Sequence, residues 1–391
     1  MRKMLLVWLL LSLLSLCLAG CYNRLELDDS VGVTGFGLDV EGEQKVFLVQ
    51  VTSPSGKPEG GQTAKVDTLV LKEKAAGYAQ AARQITLSFP RTPVWSLATT
   101  ILLGEQLARE DLALVMDFVS RNRFIRPNML LFLTAGTTPE EVMQLKTPPE
   151  NHSLVALEKI IRGQQNYAEI YLPVTLREFR TKYATPGVEP VLPQVRIEEN
   201  AGEKTLRIHG VAVFRERRLV GELDEIESRG LRFLDAGEMR GGLVTVNLSG
   251  NRQSGPLEEM VSMEIIRSRA RCTPLINEDG SIEMLIDIEA DGNLYEQTTT
   301  ENLQTTENLP RLEQLTAAAI KEDAMACIKK AQLLGSDIFG WGEIISRKHP
   351  AVWRQLEADW PAHFSNLKVR AEARYSIRRA YLLDGPVPIK N

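Results

Sequence analysis

Apolar and polar residues follow different periods along this chain, and each change of period marks an element. The first stretch is an apolar run from Met4 to Leu16, broken only by Ser12 and Ser15 and preceded by Arg2 and Lys3. It is short for a membrane span and is followed by small residues, as a cleavable export signal is. Further on, Val46-Phe47-Leu48-Val49-Gln50-Val51 predicts a mostly buried strand. Ser53 to Gly61 carries two prolines and three glycines and predicts a surface loop. Lys72 to Arg83 is alanine-rich with Gly77 as its one breaker, and predicts a helix. Leu112, Val115, Met116 and Val119 recur at helical spacing, with Asp111 placed as an N-cap or first-turn acid. Met129 to Leu133 predicts a short central strand, and Leu154, Leu157, Ile160 and Ile161 another helix.

Residues 184–202 contain Pro186, Pro190, Pro193 and two glycines, a composition that predicts an interdomain linker. Leu206 to Phe214 then predicts a strand, and Arg217 to Gly221 the start of its hairpin partner. In the C-terminal third, Ile282, Met284, Ile286 and Ile288 alternate with polar residues. Leu367, Val369, Ala371, Ala373 and Tyr375 do the same. Between these strands Leu315, Ala319, Ala324, Cys327, Ile328 and Ala331 form the apolar face of a helix from about Leu312 to Leu334. Strands cluster in twos and threes, so the expected class is α+β. The expected plan is a leader over 1–20 and three mixed domains of small β-sheets with packed helices. Their spans are 21–186, a small β-rich middle domain over 203–252, and 256–391. So long a chain exceeds what one core usually holds.

Charge and composition narrow the function. The formal net charge is −5. Removal of residues 1–20, with Arg2 and Lys3, makes it −7, and no basic stripe is present, which argues against a nucleic-acid partner. Beyond Cys17 and Cys21 the cysteines are Cys272 and Cys327, either free thiols or a disulfide. His152, His209, His349 and His363 lack metal-ligand spacing, and there is no nucleophile elbow or Walker loop. Asp287 to Gly292 has the acids of a calcium loop but Thr298 at its twelfth position, where a bidentate glutamate belongs. No enzymatic signature remains, so the expectation is a protein without catalytic residues, cofactor or metal.

Leu18-Ala19-Gly20-Cys21 resembles the bacterial lipobox, in which the cysteine thiolate receives diacylglycerol and becomes the first residue. Each buried methylene contributes about 0.8 kcal/mol, so two acyl chains give a durable anchor. The expectation is a chain tethered through Cys21 to the outer face of a membrane.

Four stretches together resemble the Ger(x)C lipoproteins, the C-subunit family of bacterial spore germination receptors. The first is Arg24-Leu25-Glu26-Leu27, followed by Val33-Thr34-Gly35-Phe36-Gly37; Tyr22 and Asn23 depart from the family's usual tryptophan and aspartate. The second is Leu103-Gly104-Glu105-Gln106-Leu107-Ala108, leading to Asp117-Phe118 and Arg121. The third is Gly210 to Phe214 with Leu219 to Leu223 and Ser228 to Leu231. The fourth is Asp337-Ile338-Phe339-Gly340-Trp341-Gly342, with Pro350, Trp353, Trp360 and Phe364 after it. In this last segment Val352, Trp353, Leu356 and Trp360 share a helical face. That face is expected to be core, the alternative being an exposed patch for a partner.

The resemblance implies a noncatalytic, lipid-anchored subunit on the outer surface of the spore inner membrane. It implies two integral membrane partners, the A and B subunits, in a receptor that answers nutrients and starts germination. No ligand-binding residue is carried over by it. Asp337, Phe339, Gly340, Trp341, Gly342, Trp353 and Trp360 are the candidate structural or partner-contact motif. A lipoprotein solute-binding protein of a transport system is the alternative, though it would show regular strand–helix alternation in two lobes.

Overall fold

The computed structural model describes residues 1–4, 8, 29–55, 65–235, 241–249 and 259–379. β1 (Ser30–Glu41), β2 (Gln44–Ser55) and β3 (Lys65–Ala75) form an antiparallel meander. After helix α1 (Tyr78–Ser88), β4 (Thr92–Val94) and β5 (Thr100–Leu103) both pair with β1 in parallel. Helices α2 (Glu105–Glu110) and α3 (Ala113–Arg121) lead to β6 (Leu130–Thr134), parallel to β5. Helices α4 (Pro139–Gln144), α5 (Ser153–Gln164) and α6 (Leu176–Ala184) precede β7 (Val191–Asn200). β8 (Glu203–Arg215) and β9 (Arg218–Leu223) then add in antiparallel fashion. The nine strands run β3-β2-β1-β5-β6-β7-β8-β9, with β4 beside β1.

Every residue of β5 and β6 is buried, because the parallel strands at the centre of the sheet are covered on both faces. One face packs Phe36, Phe47, Val49, Ile101 and Leu131 against α1, α3 and α6. The opposite face packs Val46, Leu48 and Phe132 under α4 and α5. Gln50 is the one polar side chain in the middle of β2. It donates to the Met143 carbonyl (2.7 Å) and to Ser153 Oγ (2.8 Å), and accepts from Thr34 Oγ1 (2.7 Å), so its burial leaves no amide atom unpaired.

The second sheet has the order β10-β11-β12-β13. Helix α7 (Glu225–Leu234) leads into β10 (Gly242–Asn247), β11 (Met260–Ile276) and β12 (Ile282–Gln297), which pair antiparallel. The long helix α8 (Asn308–Leu334) then crosses over, so that β13 (Lys368–Arg379) joins β12 in parallel. Its stripe of Leu312, Ala319, Ile320, Ala324, Ile328 and Ala331 meets Met284, Ile286 and Ile288 of the sheet. α7 crosses α8 closely at Gly230, where a Cβ would lie 2.1 Å from the Asp323 carbonyl oxygen. Beside it Arg229 Nε bonds Asp323 Oδ2 at 2.7 Å, the carboxylate being 1% exposed.

The α+β class and most elements agree with the sequence, and three readings change. Lys72 to Ala75 is the end of β3 rather than the start of a helix, since cross-strand pairing with β2 outweighs local helix propensity there; Gly77 is the N-cap of α1. Residues 184–202, expected to be a linker, are the last residue of α6, a short loop, β7 and the turn that follows it. Pro193 is tolerated because it sits at a bulge against β8, one residue before β7 reaches β6 at Gln194. The small middle domain expected over 203–252 is divided. β8 and β9 extend the first sheet, whereas β10 belongs to the second. A single apolar cluster runs from Val46 and Phe132 through Leu231 to Ile286 and Phe364, so both sheets share a core. The soft boundary expected near 251–256 lies outside the described residues.

Candidate functional site

The segment after α8 gathers seven of the singled-out residues at one buried junction. α8 ends at Gly335, whose φ of +63° places it in the left-handed region used by helix C-caps. Ser336 follows and its hydroxyl donates to the Phe214 carbonyl of β8. Asp337 comes next and is 2% exposed. Its Oδ1 accepts the backbone N–H groups of Phe339 (3.2 Å), Gly340 (2.9 Å) and Trp341 (3.1 Å). Its Oδ2 accepts the Gly342 amide (2.8 Å) and the Trp360 indole N–H (3.0 Å). Three of these amides, those of Gly340, Trp341 and Gly342, open α9 (Trp341–Lys348), where a helix leaves its N–H groups without partners. A carboxylate here also meets the positive end of the helix dipole.

The backbone of the same segment holds the loop between α6 and β7. The Asp337 carbonyl accepts the Glu189 amide (2.8 Å), and the Gly187 carbonyl accepts the Glu343 amide (3.1 Å). Gly187 and Gly342 face each other closely. A Cβ on Gly342 would lie 2.7 Å from Gly187 Cα and 2.8 Å from Trp360 Nε1, and one on Gly187 would lie 2.6 Å from the Gly342 carbonyl carbon. Gly187 and Gly340 adopt φ of +78° and +74°, which L side chains rarely take.

Aromatic rings close the site. Phe339 stacks on Trp341 with centroids 4.8 Å apart, and Trp341 lies 5.6 Å from Phe364. Trp353, on α10 (Pro350–Leu356), meets Trp360 of α11 (Trp360–Ser365) edge-on at 5.3 Å. Trp341 and Phe364 are fully buried, and Trp353 and Trp360 are 6% exposed. The helical face of Trp353 and Trp360 is therefore interior rather than displayed.

Two acids at the junction hold their protons to unusually high pH. Burial pushes the Asp337 carboxyl up to about 6 against the pull of the Gly342, Trp341 and Gly340 amides and the Trp360 indole. Burial likewise pushes Glu189 up to about 7; it accepts the Glu216 amide (2.9 Å), which opposes the shift, while the charges of Glu216 and Asp337 add to it. Both oxygens of Asp337 point at N–H groups, so the side chain acts as an acceptor hub for five donors, four from the backbone of 339–342 and one from Trp360. Cys272 and Cys327 are both free, and burial pushes each thiol up. Among the described residues no group of His, Cys, Asp and Glu is placed to hold a metal ion, and no helix is long and apolar enough to cross a membrane.

Asp337, Phe339, Gly340, Trp341, Gly342, Trp353 and Trp360 are thus brought together. Cys21 with Leu18, Ala19 and Gly20 lies outside the described residues. Sequence reasoning missed Gly187 and Glu189, hidden in the proline-rich stretch; the available signal was a glycine flanked by prolines, a spacing that suits a sharp turn against another element.

Comparison with known proteins gives matches over both halves. Residues 23–197 match the family described as spore germination protein N-terminal domain, and residues 209–381 match spore germination B3/GerAC like, C-terminal. The spore germination protein YndF of Bacillus subtilis is 24% identical, over 96% of each chain. The spore germination protein KC of the same organism is 21% identical, over 99% of this chain and 98% of its own. The crystal structure of the GerBC protein superimposes with a TM-score of 0.57 at 19% identity, over 88% of this chain and 96% of that one.

Proposed function

Because the chain belongs to the Ger(x)C family of spore germination proteins, we propose that it is the noncatalytic C subunit of a nutrient germinant receptor. In this reading Cys21 is lipidated and holds the chain at the outer face of the spore inner membrane, where it assembles with the integral A and B subunits. The observation that carries the reading is similarity along the whole chain: the family matches run from residue 23 to residue 381. The core supports it physically. Two sheets that share one apolar cluster, with the Asp337 carbonyl holding the Glu189 amide just before β7, form one packed unit, suited to bearing on membrane partners rather than to closing around a solute. The transport-protein alternative calls for two doubly wound lobes, and only the first sheet has a run of parallel strands.

Crosslinked spore membranes provide the test. The tagged chain should recover A and B subunits in comparable amounts, and their absence overturns the subunit assignment. A Cys21→Ala chain should leave the membrane fraction and fail to support germination. If it stays membrane-bound and spores germinate at the normal rate, the anchor assignment is wrong.

A further inference from the structure

The first sheet carries a cavity that the junction does not use. It has a volume of about 620 Å³ and opens beside α1 and α3, within the range of small-molecule sites. Phe47, Tyr78, Phe89, Trp95 and Phe118 form its wall. Leu114 and Phe124 stand at its mouth 61% and 49% exposed, which extends the apolar wall out to the rim.

The charged groups lining it are unbalanced. Lys45, Arg83, Arg91, Arg121 and Arg123 face one acid, Asp117. Asp117 is already engaged, accepting from Arg121 Nε at 2.6 Å. Among the described residues Lys45, Arg83, Arg91 and Arg123 have no carboxylate partner, and Arg123 rests over the Phe124 ring at 4.9 Å. An amino acid would find no free acid for its ammonium, and a sugar would find few acceptors among aromatic walls. The complement of this surface is a long apolar group with an anion at one end.

The place of the cavity in the fold suggests the source. Pro93, which lines it, pairs with Val31 in the first turns of the sheet after the chain enters at Ser30. An extended residue spans at most about 3.6 Å, so the link from Cys21 to Ser30 keeps this end within roughly 30 Å of an anchor. That step rests on the lipid-anchor reading; the charge complementarity does not.

We propose that this cavity binds the acyl chain of a single anionic lipid, with the carboxylate or phosphate head on the rim arginines. The test uses the full chain in nanodiscs of zwitterionic phosphatidylcholine. One arm adds a free fatty acid carrying a mid-chain diazirine; the other places the same label in phosphatidylglycerol within the disc. Irradiation should label residues of the α1, β4 and α3 region in at least one arm, and the arm that labels identifies a free acid or a membrane lipid as the source. Arg83→Glu with Arg91→Glu should lower labelling roughly tenfold. Ala82→Trp, which fills the cavity, should abolish it, with circular dichroism reporting that each variant is folded. Labelling scattered over the surface, absent in both arms, or unchanged in the charge-reversed chain overturns the proposal. Loss of membrane attachment by Cys21→Ala is a separate readout, so failure of the anchor and failure of the cavity are distinguishable.

Discussion

Trp360 Nε1 donates to Asp337 Oδ2 at 3.0 Å, on the same oxygen that accepts the Gly342 amide. The starts of α9 and α11 therefore converge on one atom. Asp337→Asn leaves an acceptor for one set of amides but turns an NH2 toward the other. Leaving buried donors unpaired costs about 1–3 kcal/mol each, so the variant should lose roughly 2–4 kcal/mol. Trp360→Phe should lose less. The double variant should show coupling of about 1 kcal/mol or more in denaturant titrations, and strict additivity would contradict a direct bond.

Gly342→Ala tests the close approach of Gly187. Its methyl group meets backbone on one side and the Trp360 ring on the other, so neither side yields easily. A loss of about 1–3 kcal/mol is expected, with a lower thermal midpoint. The same substitution at Gly163, where nothing lies within 4 Å of a Cβ, should be neutral or slightly stabilising.

Glu189 gives the junction a pH dependence. Its folded value, about 7, lies above the ordinary 4.5, so between these pH values the folded state binds more protons than the unfolded state. The Glu189 contribution is then fully present at pH 4 and is lost as pH rises through 7. Glu189→Gln keeps an acceptor for the Glu216 amide without the titration. Relative to the native chain, the variant should gain stability from pH 5 to pH 8 by chemical denaturation; a difference that does not vary with pH contradicts the assignment.

Arg229 and Asp323 join α7 to α8 through a buried ion pair. Arg229→Ala strands a carboxylate in the core and should cost about 3–5 kcal/mol. Arg229→Met with Asp323→Leu removes both charges and should recover most of that loss in urea midpoints. Failure of the double variant to recover the loss would mean that the pair is not the dominant contact there.

Much of this was legible in sequence because it was periodic. Ile286 and Ile288 face the core, and Ala371 and Tyr375 do so across from them, as their alternation requires. The helix stripe through Ala324, Cys327 and Ala331 is equally direct. What failed was non-local. Lys72 joins β3 because β2 is beside it, and Pro193 enters a strand because a bulge admits it. Neither neighbour is visible within a local window. The Asp337 motif was recognised as a unit, but not its close packing on Gly187, about 150 positions away, which composition had assigned to a linker.

The hairpin of β7 and β8 has a further consequence. Asn200 pairs with Glu203 around Ala201 and Gly202, both with positive φ, the geometry of a tight two-residue turn. The two family regions meet between residues 197 and 209, across this same hairpin. The hereditary seam of the protein therefore runs through its hydrogen-bonded interior. Severed there, each fragment would carry a raw strand edge and part of a torn core.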